Sequence, residues 1–251
     1  MKSVSSTSLG TRLGNAKKIL SQLTTYPDYA PTSDDLSVAQ LKAFMDSVEK
    51  LNAEAATKIQ EYTNAVDIRQ KAFRKDSNSL HKTAIQITAL VRSSFGRGSK
   101  EAAAIQAMSV KIRGVNPGKK KPAKPGKTGD QAQPATTDTK AADTPSPSRI
   151  ESTFGNMLKT FDDIVATLIS YNGTYKASGA FSITALKTKS IALAEMNVKA
   201  DVAHALLKQI RDDRTDVYIK LADRIRRTKD GIQGQYGPSS SEYKLLKGIK
   251  S

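Results

Sequence analysis

The sequence predicts an all-α protein built as two pseudo-repeated units of long antiparallel helices, bundle-like or coiled-coil-like, joined by a disordered linker. Three observations predict it. Apolar residues recur at helical and near-heptad spacing over long stretches with no Gly or Pro. The same marks return in the same order about 145 residues later, and about 141 near the end: Gly14-Asn15 as Gly155-Asn156, Tyr26 as Tyr171, Leu51-Asn52 as Met196-Asn197, Arg69 as Arg214, Phe95-Gly96 as Tyr236-Gly237. Between the copies lies a Lys- and Pro-rich segment almost without apolar residues. The expected division is a first helical repeat over 1–113, the linker over 114–148 and a second repeat over 149–251.

Each copy opens on an amphipathic helix. The first spans about Thr11 to Thr24 with Leu13, Ile19, Leu20 and Leu23 apolar. The second spans about Ser152 to Tyr171 with Phe154, Met157, Phe161, Ile164 and Leu168. A turn-rich stretch follows, with Pro27 and Pro31 in one copy and Gly173 and Gly179 in the other. Ser37 then has the placement of a helix N-cap, with Gln40 three residues on and Leu36 and Leu41 set for a hydrophobic staple. Ser182, Phe181 and Leu186 repeat the cap and staple without the Gln.

The long helices carry the seam. Leu186, Leu193, Ala200, Leu207, Arg214 and Leu221 fall seven apart, as do Leu41, Val48, Ala55, Tyr62 and Arg69. Each is expected to run roughly 35 residues, about 50 Å. Asp76-Ser77-Asn78-Ser79 reads as a break where the second copy lacks about four residues. The second copy has no Gly or Pro from Ile183 to Lys229, which leaves a continuous helix open there. Both copies close on an aromatic-Gly pair suited to a left-handed helix end. Ser99 is the expected cap of one final helix, and Ser239 with Glu242 a capping box for the other.

The stretch from Leu186 to Arg214, followed by Gln235-Tyr236-Gly237-Pro238-Ser239-Ser240-Ser241-Glu242-Tyr243-Lys244 and Lys247-Gly248-Ile249-Lys250, resembles a family of uncharacterised bacterial helical proteins. Its members pair a long Asn- and Arg-bearing helix with a closing aromatic-Gly-x-x-Ser turn. The likeness covers the second half well and the first loosely, where Phe95-Gly96-Arg97-Gly98-Ser99 departs from the Pro- and Tyr-containing form. It implies helices and attaches no activity.

Composition excludes several classes of function. No cysteine is present, so thiol catalysis, disulfide frameworks and Cys-based zinc sites are out. No run reaches the ~18 apolar residues of a membrane helix, and residues 1–10 lack the apolar stretch of a signal peptide, so a cytoplasmic protein with no membrane span is expected. The two histidines, His81 and His204, offer little for a metal: Asp201-x-x-His204 shares a helix face, but the first copy has Ala56 and Ile59 at the matching positions. Gly96-Arg97-Gly98-Ser99 is too short for a phosphate loop. No catalytic, cofactor or metal residue is therefore assigned, nor any small-molecule substrate, and the protein is read as not an enzyme.

A net charge of +16 is the compositional outlier. Arg92, Arg97, Lys100, Lys111 and Arg113 crowd the close of the first copy. Arg224, Arg226, Arg227, Lys229, Lys244, Lys247 and Lys250 crowd that of the second, and Lys119, Lys120 and Lys121 stand in the linker. These are the candidate polyanion contacts, through phosphates rather than base edges, since the final helices carry few Asn, Gln or Arg side chains. Arg69 and Arg214 sit on the seam itself. Each is either a side chain snorkelling to the seam edge or half of an ion pair that fixes register. The functional expectation is a structural or assembly protein working through helical seams with a second copy or another helical protein; the alternative is nonspecific nucleic-acid binding. Limited proteolysis checks the organisation: the first cut should fall within 114–148, and a first cut between Leu41 and Phe73 would contradict it.

Overall fold

The computed structural model describes residues 6–26, 28–113, 149–171 and 173–250. The segment expected to be the linker, with Lys119, Lys120 and Lys121, lies outside the described residues. Among those described there are seven α-helices and no strand: α1 (Ser6–Leu23), α2 (Val38–Gln70), α3 (Leu80–Phe95), α4 (Lys100–Arg113), α5 (Arg149–Ser170), α6 (Ile183–Tyr236) and α7 (Ser241–Lys247). The fold is all-α.

The local signals act as their chemistry dictates. Ser37 Oγ accepts from the Gln40 N–H at 3.3 Å and Ser182 Oγ from the Ala185 N–H at 3.2 Å, each ending a short 3-10 turn and starting a long helix. Leu41 and Leu186 behind these caps are fully buried. Helix α2 ends in a π-helical turn, Lys71–Lys75, with the Asp76 N–H donating to Lys71 O at 3.0 Å. The expected break at Asp76 is thus a wide turn that inserts residues while keeping Phe73 fully buried. Helix α6 has no such break: it runs 54 residues, well beyond the 35 expected.

Gly96 and Gly237 follow α3 and α6 at φ 89° and 90°. Ser99 caps α4 through the Ala102 N–H at 3.1 Å. The corresponding cap of α7 is Ser240, accepting from the Tyr243 N–H at 3.1 Å, one residue beyond the expected Ser239. Glu242 makes no capping box with Ser239 and instead accepts from the Ser241 hydroxyl at 3.1 Å.

Contacts divide the chain into two compact units, one from the described parts of 1–63 and 202–251, the other from those of 64–201. These spatial groupings cut across the 1–113 and 149–251 division along the chain. In the first unit, Ile19, Leu23, Leu41 and Val48 share a core with Tyr218, Leu221, Ile232 and Leu246. Helices α2 and α6 run antiparallel there, Asn52 Nδ2 donating to Tyr218 Oη at 2.8 Å and the Tyr62 ring lying 5.4 Å from that of His204. Between those contacts the core thins to Ala55, Leu207 and Ile210. In the second unit, Phe73, Leu80, Ile87 and Ile105 pack with Phe154, Phe161, Ile164 and Leu186.

Each unit also fastens its helix ends with a tyrosine. In the first, the Tyr26 ring lies 5.8 Å from that of Tyr236 and its hydroxyl donates to Glu242 O at 3.0 Å. In the second, the Tyr171 ring lies 4.9 Å from that of Phe95 and its hydroxyl donates to Glu101 O at 3.3 Å. Burial pushes both phenols above their ordinary pKa and keeps them protonated as donors.

The glycines give a clean test, because beyond the adjoining residues and the glycine's own helical turn no described atom lies within 4 Å of where a Cβ would stand at Gly14, Gly96, Gly155 or Gly237. Gly96→Ala and Gly237→Ala should each cost about 1–2 kcal/mol through the positive φ alone. Gly14→Ala and Gly155→Ala, inside α1 and α5, should stabilise by about 0.5–1 kcal/mol. Urea denaturation measures all four; a destabilising Gly155→Ala or a neutral Gly237→Ala would contradict the assignment.

Candidate functional site

In the first unit the candidate cations divide into two groups. Arg224 and Arg227 turn toward the 3-10 segment Asp34–Leu36. Arg227 donates to both Asp35 oxygens at 2.9 and 3.2 Å and to Ser33 Oγ at 2.8 Å, while Arg224 Nε lies 3.7 Å from Asp35 and its guanidinium covers the Phe44 ring at 4.1 Å. The Ser33 hydroxyl, and then Arg227, hold the Asp35 carboxyl below the usual carboxylate range. Lys229 donates to Ile249 O, and its burial pushes its pKa down. These three cations fasten the turn and the chain's last described residues to α6. Arg226, Lys244, Lys247 and Lys250 are exposed and make no ion pair among the described residues.

Beside Arg227 an open groove of about 550 Å³ runs between Ala30 and Thr32 on one wall and Asp230, Gly231 and Gly234 on the other. Its walls are fixed by Gln235, which accepts from the Ala30 N–H at 3.2 Å and donates to Asp28 O. A Cβ at Gly231 would meet Thr32 Cγ2 at 3.6 Å, an ordinary contact. The groove brings together the Asp230 carboxylate, the committed Arg227 guanidinium, the Thr32 hydroxyl and the Gln235 amide.

In the second unit Arg92 donates to Gln106 Oε1 at 2.5 Å, and Arg97 and Lys100 are exposed. His81, on the first turn of α3, has its pKa lowered by burial and then by the charges of Arg113, Arg74 and Lys82. These cations converge from the π-turn, α3 and α4, a grouping that linear spacing does not reveal. Lys189 donates to Asn78 O and is shifted down by burial.

The two seam arginines have different environments. Arg69 is 2% exposed, with Nη1 3.4 Å from Asp201 Oδ1 and its guanidinium 5.0 Å over the Phe154 ring. Arg214, in the other unit, is half-buried and makes no ion pair among the described residues. Asp201 is thus engaged by Arg69, and His204 stacks on Tyr62. Among the described residues no group of three or more His, Asp or Glu could hold a metal ion, and no helix is long and apolar enough to cross a membrane.

No protein-family model, no curated protein and no solved structure matches the chain. The resemblance to a bacterial helical family gains no support from them.

Asp35 supplies a pH test. A carboxylate depressed in the folded state contributes stability that is fully present above its unfolded pKa, about 3.9. That contribution is lost as pH falls from about 4 through the lower folded value. Asp35→Asn should therefore be less stable than the wild type at pH 7, with the gap closing in acid below pH ~4. Urea midpoints across pH measure it, and a gap that persists unchanged at pH ~2 would overturn the ion-pair account.

Proposed function

We propose that the protein is a non-enzymatic assembly protein that meets a second copy of itself, or another helical protein, through the outward side of its long helices. One observation carries this reading: α6 leaves large apolar side chains in solvent at helical spacing. In the second unit Ile191 and Val198, seven residues apart, are 62% and 61% exposed. In the first, Val202 and Leu206, one turn apart on α6, are 53% and 41% exposed. A helix with one buried face ordinarily turns polar residues outward, and apolar residues at these spacings return to one side, as a seam requires. The thin Ala55, Leu207 and Ile210 core adds to this, since it leaves that stretch of paired helices with little burial of its own.

A second reading, nonspecific binding to nucleic acid, is favoured by Arg226, Lys244 and Lys247 in the first unit and Arg97 and Lys100 in the second, all exposed. Arg224, Arg227 and Lys229 are poor probes of it because their contacts hold the first unit together.

Solution mass and salt separate the two. For assembly, light scattering should show a mass above the 27.1 kDa of one chain, retained in about 0.5 M salt, where charge contacts are screened. The exposed double variant Ile191→Glu, Val198→Glu should return it to monomer with unchanged helicity. A wild-type chain of monomer mass would sink self-assembly and leave only a different helical protein as the partner; a variant that still assembles would sink the reading. For nucleic acid, replacing Arg226, Lys244 and Lys247 by Gln should lower the slope of log affinity against log salt by about one for each phosphate no longer neutralised.

A further inference from the structure

Each compact unit takes its core from both halves of the chain. In the first, Ile19, Leu23 and Met45 are buried with Leu221, Ile225 and Ile232, more than 170 residues later in sequence. In the second, Phe73, Ile87 and Ile105 are buried with Phe161, Ile164 and Leu186. Every one of these twelve side chains is at most 2% exposed. Helix α1 belongs with the end of α6 and with α7, not with α3 and α4 of its own half; α5 belongs with α3 and α4, not with α7. Removing either half would uncover both cores together.

The polar contacts between the halves are reciprocal. Tyr26 of the first half donates to Glu242 O of the second, and Tyr171 of the second donates to Glu101 O of the first. Asn52 donates to Tyr218 Oη, and Asn15 Nδ2 to Lys250 O at 2.9 Å. A half paired with anything else would leave these donors, several of them part-buried, without acceptors, which disfavours the wrong partner as well as stabilising the right one.

We propose that segments 1–113 and 149–251 are obligate partners, each the binding surface on which the other folds, so that the chain is an intramolecular heterodimer whose interface is its two cores. The connection through 114–148 then acts by keeping the two partners at a high effective concentration. This is independent of whether α6 assembles with a second copy, because the contacts involved are those inside each unit.

The test uses the full chain. A protease recognition sequence is placed within 114–148, and the folded protein is cut in native buffer. The two fragments should elute together at about 1 μM and keep the helical signal of the uncut protein. Losing a tether worth an effective concentration on the order of 1 mM should lower the apparent folding constant about 10³-fold at about 1 μM. The urea midpoint of the cut protein should accordingly rise with concentration, while that of the uncut chain does not. Fragments that separate, whether folded or aggregated, or a cut protein whose midpoint is independent of concentration, would overturn the proposal.

Discussion

Burial of one face of α1 and one face of α5 is the constraint on which the rest of the structure depends. Isolated helices of such length are marginal in water, and α1 carries Gly10 and Gly14 besides. Its stability comes from Leu13, Ile19 and Leu23 leaving solvent, at about 1.5–3 kcal/mol for each large side chain. The residues that cover them come from α2, from the last third of α6 and from α7, while the first part of α6 serves the core around α5. Helix α6 contributes residues to both cores, and the absence of Gly and Pro from Ile183 to Lys229 suits an unbroken helix of 54 residues, whereas α2 ends at a π-turn and α3 takes over the packing.

Arg69 shows how a charge is tolerated on an apolar seam. Burying an unpaired guanidinium costs several kcal/mol. Here the charge meets the Asp201 carboxylate on one side and the Phe154 ring face on the other, and Asp201 keeps most of its own hydration at 63% side-chain exposure. Arg214 has neither support. The residue 145 positions before Asp201 is Ala56, which cannot pair with it, and Arg214 remains half in solvent. The two arginines match in sequence and differ in environment because a single carboxylate is present in one case and not the other. Asn52 and Asn197 differ in the same way. Asn52 meets the Tyr218 hydroxyl, whereas Asn197 Oδ1 is buried with no hydrogen-bond partner among the described residues, and the residue 145 positions before Tyr218 is Phe73, which has no hydroxyl to offer.

What could be read from the chain was what local chemistry decides. Ser37 and Ser182 cap helices because a hydroxyl one residue ahead of a helical run can reach a free N–H; Gly96 and Gly237 stand where φ must be positive; Asp76 closes a turn. The Ser239 assignment missed by one residue because Ser239, Ser240 and Ser241 are adjacent and equally able to cap, and only the path after Gly237 selects among them. The grouping of elements was not legible. A heptad pattern states that a helix has an apolar face, not which other face covers it, so the pairing of α1 with residues 218–246 left no local mark. The outward residues Ile191 and Val198 were hidden for the same reason, since the seam of Leu186, Leu193 and Ala200 on that helix already accounted for its period.

The charge shows the same limit in another form. Arg224, Arg226, Arg227 and Lys229 are a basic cluster in sequence, but a helix distributes consecutive residues around its axis at 100° intervals. Arg224 and Arg227, three apart, fall on the side that faces Asp35, and Arg226 on the side that faces water. Asp35 lies 192 residues before Arg227 in sequence, and nothing near either residue announces the other. Among the described residues of this cluster, the cation available to a polyanion is consequently the one whose helical position turns it away from the core, so four basic residues in sequence overstate what this part of α6 offers to phosphate. Attraction from such a surface is sensitive to salt and weak for each phosphate met, whereas an apolar row along α6 loses little in salt. That difference in physical character, more than the size of the charge, is what separates the two proposed readings.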